Sequence, residues 1–180
     1  MPKPAFTDTM QIGIVVPDLD AAMERYENDY GIGPWRMRKF APGEVKAWRE
    51  NGRPVKGGAK TRFAAAMVGK VQWELIEPLD KTSIFARFLA RTGGAGGVHH
   101  IAVAAADYDG LVAAEAKRGN KLAMECELGG QYDGIKVAYL GTEKTLGVLL
   151  EVFNGMPGGK DEKGAAKKSK QKPATSRRAE

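Results

Sequence analysis

The chain has 180 residues, 43% of them hydrophobic and 28% charged, enough for one ordinary domain or two small fused modules. No run approaches the roughly 18 apolar residues that cross a bilayer, which excludes a membrane-spanning helix, and the opening Met1-Pro2-Lys3-Pro4 lacks the apolar stretch of a secretory signal. The net charge of +6 is concentrated at one end: Gly155 to Glu180 holds eight basic against three acidic residues, a net +5, so the body carries only +1 and has no basic, aromatic-studded stripe of the kind that reads nucleic acid.

After a short lead, residues 1–7, the run Gln11–Val16 is apolar and β-branched and predicts a strand. Pro17-Asp18-Leu19-Asp20 follows, with an aspartate placed to cap a helix over Ala21–Tyr30 that Gly31 stops. Thr61–Val68 and Val71–Glu77 predict further strands. A linker, residues 79–96, contains a short helix, Ser83–Arg91, and the glycine-rich Gly93–Gly97, which reads as a hinge because no Lys-Ser/Thr follows it as in a phosphate loop. His100–Ala106 is again a strand, Asp107 again a cap, and Gly110–Arg118 again a helix stopped by Gly119. Strands over Ile135–Leu140 and Val148–Phe153 close the body. Residues 155–180 have almost no large apolar side chains and are expected to be a disordered basic tail, a solubilising appendage rather than a docking arm for an anionic partner. The lone cysteine, Cys126, forms no internal disulfide and has no activating neighbour in view; it is expected to be inert, in a reducing cytoplasm.

The chain repeats itself. Gln11–Asp20 aligns without a gap with His100–Asp109, and Val71–Glu77 resembles Val148–Phe153, so that Gln11 matches His100 and Glu74 matches Glu151. The coarse pattern is βαβββ, twice, over about residues 8–78 and 97–154. Side chains alternate along a strand, so Gln11 shares a face with Gly13 and Val15, and His100 with Ala102 and Ala104, while Ile12, Ile14, Ile101 and Val103 face the helices. Small neighbours beside Gln11 and His100 predict a cavity on that face. By the same alternation His99 should face away from His100 and be structural or support a ligand from behind.

Glu74 and Glu151 sit inside strands of Val, Trp, Leu, Ile and Phe, where an unpaired carboxylate is costly. A lysine or arginine could compensate them, or one divalent cation could compensate both. Gln11, Glu74, His100 and Glu151 together form an N/O ligand set with two negative charges, suited to Zn, Co, Ni, Mn or Fe(II) without choosing among them. Glu77, beside Pro78, reads as a solvated strand end, and Trp35 and Trp73 as core.

These motifs resemble the vicinal-oxygen-chelate superfamily of glyoxalase I and methylmalonyl-CoA epimerase-like proteins. Gln11-Ile-Gly-Ile-Val-Val-Pro-Asp-Leu-Asp20 is similar to its opening motif, Tyr30-Gly-Ile-Gly-Pro-Trp35 to the segment after the first helix in the epimerase-like branch, and Glu74-Leu-Ile-Glu-Pro78, Gly97-Val-His-His-Ile-Ala-Val103 and Gly147-Val-Leu-Leu-Glu151 to the remainder. The resemblance implies an α+β fold, two βαβββ modules forming a curved, partly closed mixed sheet around a central metal site. The epimerase pattern has His at the first ligand position and usually Gln at the second, whereas Gln, Glu, His, Glu in chain order is the set of eukaryotic-type glyoxalase I. The implied activity is proton transfer α to a carbonyl through a metal-stabilised enolate, as an epimerase, isomerase or glyoxalase-like lyase. Gln11, Glu74, His100 and Glu151 are the implied ligands of one divalent ion, Glu151 is the implied catalytic base, and Glu44 or Glu50 is the second acid-base candidate. The partners implied are a small carbonyl or acyl-thioester substrate and a second copy in a homodimer. The alternative is a metal-free small-molecule binding and sequestering protein of the same fold. A ring-cleaving dioxygenase, which needs two histidines and a carboxylate on iron, is disfavoured because His99 and His100, adjacent on a strand, should face opposite ways and so cannot both bind one ion.

Overall fold

The computed structural model describes residues 4–38, 45–56 and 59–155; the expected tail beyond residue 155 and Glu44 lie outside them. In chain order the elements are β1 (Phe6–Val15), α1 (Leu19–Tyr30), β2 (Arg36–Arg38), β3 (Val45–Glu50), β4 (Arg53–Pro54), β5 (Thr61–Val68), β6 (Val71–Pro78), α2 (Ile84–Arg91), β7 (Gly97–Ala105), α3 (Tyr108–Lys117), β8 (Leu122–Leu128), a 3-10 turn (Gly130–Tyr132), β9 (Lys136–Leu140), α4 (Glu143–Leu146) and β10 (Leu149–Phe153). The fold is α+β. Among the described residues no helix is long and apolar enough to cross a membrane.

The helix ends follow the local chemistry. Asp18 accepts from the Ala21 N–H and Asp107 from the Gly110 N–H, each satisfying an amide that the first helical turn leaves without a partner. Gly31 closes α1 in the left-handed region, at φ 64°, where its N–H reaches back to Glu27. Ser83 caps α2 in the same way as the two aspartates cap their helices.

Among the described residues, ten strands form one mixed sheet in the order β2-β5-β6-β1-β7-β10-β9-β8-β3-β4. The order is symmetrical about the antiparallel contact of β1 with β7: β6, β5 and β2 follow on one side, β10, β9 and β8 on the other. The sequence pattern contains no hint of the next feature. The hairpin β3–β4 comes early in the chain, yet β3 pairs with β8, at the far end of the sheet from β2. One cavity of about 1660 Å³ is lined by Arg36 and Arg38 of β2 and also by Val45 and Trp48 of β3. Both ends of the sheet therefore line the same space, so the sheet curls around it.

The convex face carries two small cores. Leu19 and Met23 of α1 pack on Ile14, Ala64 and Leu75, and Leu111 and Val112 of α3 pack on Ile101, Val103, Ala138 and Val152. The concave face holds the largest core, in which Val15, Ile76, Ala102, Val137, Tyr139 and Phe153 meet Phe85 and Phe88 of α2. Ile14 and Val15 thus belong to opposite faces, as the alternation predicts.

The alternation fails at one place. Gly13 pairs with His100 and Ile14 with Val98, so His99 is an extra residue in the β7 ladder. This bulge resets the facing of the side chains. His99 turns toward the concave side with His100, its ring 5.0 Å from Phe85 and 6.0 Å from Tyr139, and the expectation that the two histidines face opposite ways is corrected.

Candidate metal centre

Strand register brings the four predicted ligands onto two neighbouring rows that cross the centre of the sheet. In one row Glu74 of β6, Gly13 of β1 and His100 of β7 lie side by side. In the next, Gln72, Gln11, Ala102, Glu151 and Tyr139 follow one another from β6 to β9. Gln11, Glu74, His100 and Glu151 are all buried. The small residues at the crossing have a definite use. A methyl placed on Gly13 would meet three ring atoms of His100 at 1.9 to 2.4 Å, so the imidazole lies on the bare backbone of β1.

One close contact joins the halves of the second repeat. His100 Nε2 stands 3.1 Å from Glu151 Oε2, in a place where both side chains are almost wholly shielded from water. Neither atom finds a hydrogen-bond partner among the described residues. The distance is that of an ion pair, yet the hydrogen-bond geometry is not met. A buried imidazole nitrogen and a buried carboxylate oxygen this close, with no hydrogen bond between them, suit two ligands of one cation, and leaving them unpaired in a dry site would cost a few kcal/mol, on the order of 1–3 for each neutral polar group and more for a charged one.

Glu74 is held differently. Burial pushes its pKa up to about 7; His100 opposes the rise, Glu151 adds to it, and Arg38 and a hydrogen bond from Gln11 oppose it further. Arg38 lies 3.6 Å away and is partly exposed. Gln11 is also tied through Nε2 to Gln72 Oε1 at 2.8 Å. Among the described residues no three of His, Cys, Asp and Glu converge as a finished ligand cluster. His100 and Glu151 meet closely, while Glu74 leans toward Arg38.

The surroundings are electronegative. Burial, then the Glu151 charge, pushes the Cys126 thiol up to about 12, which leaves it protonated and unreactive. Tyr139 rises well above its ordinary value through burial, the charges of Glu151 and Glu74, and its hydrogen bond to Glu151. Its ring centroid is 4.9 Å from that of His100. His99 is pushed down to about 2, first by burial and then by its neighbours His100 and Arg91, and is neutral. Two carboxylates and the His100 imidazole on one buried face form a donor set that a divalent cation fits.

Other predicted residues lie elsewhere. Glu50 is buried under the start of α2, where it accepts from Trp48 Nε1 and the Ile84 N–H and pairs with Arg87 at 2.9 Å; this structural role removes it as a second base. Glu77 is half-buried and pairs with Arg62 rather than standing in solvent. Trp35 and Trp73 both pack against Tyr26 on the convex face. Sequence reasoning missed Gln72, Arg38 and Tyr139. Gln72 shares the face of Glu74 by simple alternation and was within reach; Arg38 and Tyr139 depend on how distant strands meet.

Residues 10–139 match the glyoxalase/bleomycin resistance protein/dioxygenase superfamily. The chain belongs to that superfamily. The match takes in Gln11, Glu74, His100 and Tyr139 and ends before Glu151. No curated protein sequence matches the chain significantly. Among solved structures, methylmalonyl-CoA epimerase from Mycobacterium tuberculosis is similar at TM-score 0.61 and 22% identity, over 87% of this chain and 93% of that one. A methylmalonyl-CoA epimerase in complex with methylmalonyl-CoA and NH4+ is 26% identical, TM-score 0.58, over 82% and 94% of the two chains. A substituted Streptomyces coelicolor methylmalonyl-CoA epimerase with 2-nitronate-propionyl-CoA gives the same identity, score and coverage.

Proposed function

We propose that this superfamily member is a metal-dependent enzyme that moves a proton at the carbon α to a carbonyl, with an acyl thioester or a related small carbonyl compound as substrate. The observation that carries the reading is the buried, hydrogen-bond-free approach of His100 Nε2 to Glu151 Oε2 at 3.1 Å. Similarity to epimerases at 26% identity supports the reaction class. Gln11, Glu74, His100 and Glu151 would hold the ion. When bound, the ion supplies Lewis-acid stabilisation of negative charge developing on a carbonyl oxygen.

The chain's own groups supply the rest. The curled sheet shields the reacting carbon from water, and Gly13 leaves the space that His100 fills. Glu151 lines the cavity and accepts the α-proton on a carboxylate oxygen, becoming a carboxylic acid, then returns it. Tyr139, hydrogen-bonded to Glu151, keeps that carboxylate oriented. Return of the proton to the opposite face requires a second donor, for which Glu44 remains our candidate. We further read residues 8–78 and 97–154 as two fused modules, a reading that the symmetrical strand order supports, and the protein as a cytoplasmic homodimer.

Glu151→Gln keeps a ligating oxygen and removes the proton acceptor. The variant should retain bound metal, yet exchange of the substrate α-proton with solvent deuterium should fall by about 10²-fold or more. Wild-type exchange per bound ion in Glu151→Gln would assign the base elsewhere. Arg38 beside Glu74 favours a second reading, a metal-free binding protein in which the arginine neutralises the carboxylate. Elemental analysis decides between them: about one divalent ion per chain supports the enzyme, and none supports the binding protein.

A further inference from the structure

The ladder between β3 and β8 contains a bulge of its own. Lys46 pairs with Glu127 and Arg49 with Glu125, so Ala47 and Trp48 together stand opposite Cys126. Ala47 lies in the left-handed region, at φ 49°, a conformation that a residue with a Cβ adopts only at a cost. As a result two consecutive residues, Ala47 and Trp48, both line the cavity, where a plain strand would offer one. The indole is held in place: its Nε1–H donates to Glu50 Oε1 at 3.2 Å. With that polar atom satisfied, the half-buried ring offers the cavity apolar surface.

The cavity is divided by charge. Its cationic lining residues come from one end of the sheet: Arg36 and Arg38 of β2, and Lys60 and Lys70, which flank β5. At the other end Val45, Trp48, Met124, Leu128 and Val137 line it, and among the described residues no charged side chain of β3, β8 or β9 does so. Glu151, on β10, stands between the two ends. We infer that the wall formed by β3, β8 and β9 seats the acyl group of the substrate, and that this group is bulky and apolar. The inference rests on reading the Glu151 region as the place of the reacting carbonyl, and it deepens that reading by naming the substrate class. A carbonyl on the central strands has a polar direction and an apolar one beside it. A polar acyl substituent turned toward Trp48 would lose water and find no charged partner, whereas an apolar one gains by leaving water. The space is sufficient: about 1660 Å³ exceeds the roughly 300–1,000 Å³ of common small-molecule sites, and a six-carbon ring fits in about 150 Å³.

Neutral N-acetylcysteamine thioesters of propionate and hexanoate test the wall by calorimetry, on Co(II)-treated and on chelator-treated protein. Each methylene that leaves water is worth up to about fourfold in affinity, so the hexanoyl compound, longer by three methylenes, should bind at least about tenfold more tightly. In wild-type protein, intermolecular nuclear Overhauser contacts should run from the end of the hexanoyl chain to the Trp48 ring. Trp48→Ala should shrink the hexanoyl advantage to about threefold or less. Equal affinities for the two thioesters overturn the inference without recourse to a variant. So do contacts to Trp48 from the cysteamine arm in place of the acyl chain, or a hexanoyl advantage that Trp48→Ala leaves whole. The proposed reaction fails separately. A hexanoyl thioester that lies against Trp48 but exchanges no α-proton leaves the wall assigned and removes the enzyme reading, whereas α-proton exchange with equal affinities keeps the reaction and removes the wall.

Discussion

The two halves of the site repeat each other in sequence and differ in character. On the β7/β10 side, His100 and Glu151 sit in a dry, aromatic setting between Tyr139, Phe85 and the neutral His99. On the β1/β6 side, Glu74 sits among amides and a partly exposed arginine, with Gln11 and Gln72 bonded to each other. The same repeat position thus faces an imidazole in one half and an arginine in the other. Both carboxylates are buried to a similar degree, so the difference follows from their neighbours: aromatic rings surround the His100–Glu151 pair, while a polar wall admits Arg38 beside Glu74.

The sharpest way to break this contrast is at the pair of small residues that register places at the crossing. Gly13→Ala drives a methyl into the His100 ring, which is backed by Tyr139 and His99 and has nowhere to go. We expect a loss of about 1–3 kcal/mol in denaturant unfolding, and metal uptake reduced at least in proportion to the displaced imidazole. The repeat mate of Gly13 is Ala102, and Ala102→Gly should cost only about 1 kcal/mol of strand stability and leave metal uptake intact. Equal effects on uptake from both substitutions would show that the halves are interchangeable.

The titration of Glu74 gives a second contrast. Its folded pKa of about 7 lies above its ordinary value of 4.5 because burial favours the protonated form. Below pH 4.5 this preference contributes fully to the stability of the chelator-treated protein, and it is lost as pH rises through 7. The decline should reach at most about 3 kcal/mol, and Glu74→Gln should remove it. Difference unfolding curves between wild type and variant isolate the effect from Asp20 and Asp80, whose lowered pKa values act in the opposite direction at more acid pH. A variant whose stability follows the wild-type pH profile would mean that Arg38 already compensates Glu74.

The smallest expected effect tests equivalence rather than difference. Asp18 and Asp107 cap matching helices through the same hydrogen bond to the third residue beyond. Asp18→Ala and Asp107→Ala should each cost about 1 kcal/mol, within a few tenths of one another, by thermal or denaturant unfolding. A large disparity would show that one of the two helices is held mainly by its packing.

The sequence alone determined the α+β class, the repeated strand–helix opening, the caps at Asp18 and Asp107, the helix stop at Gly31, and the face shared by Gln11, Gly13 and Val15. Each depends on neighbours a few residues apart, where periodicity and local hydrogen bonding decide the outcome. The tertiary structure alone decided the crossing of β3 to β8, the approach of Arg38 to Glu74, the assignment of Glu50 to the start of α2, and the turn of His99 toward His100. Three of these are contacts between segments far apart in the chain, set by how the sheet curls. The fourth is a single inserted residue in a ladder, and composition does not reveal it because both neighbours of a bulge look like ordinary strand; only the pairing of Gly13 with His100 and Ile14 with Val98 leaves His99 without a place opposite.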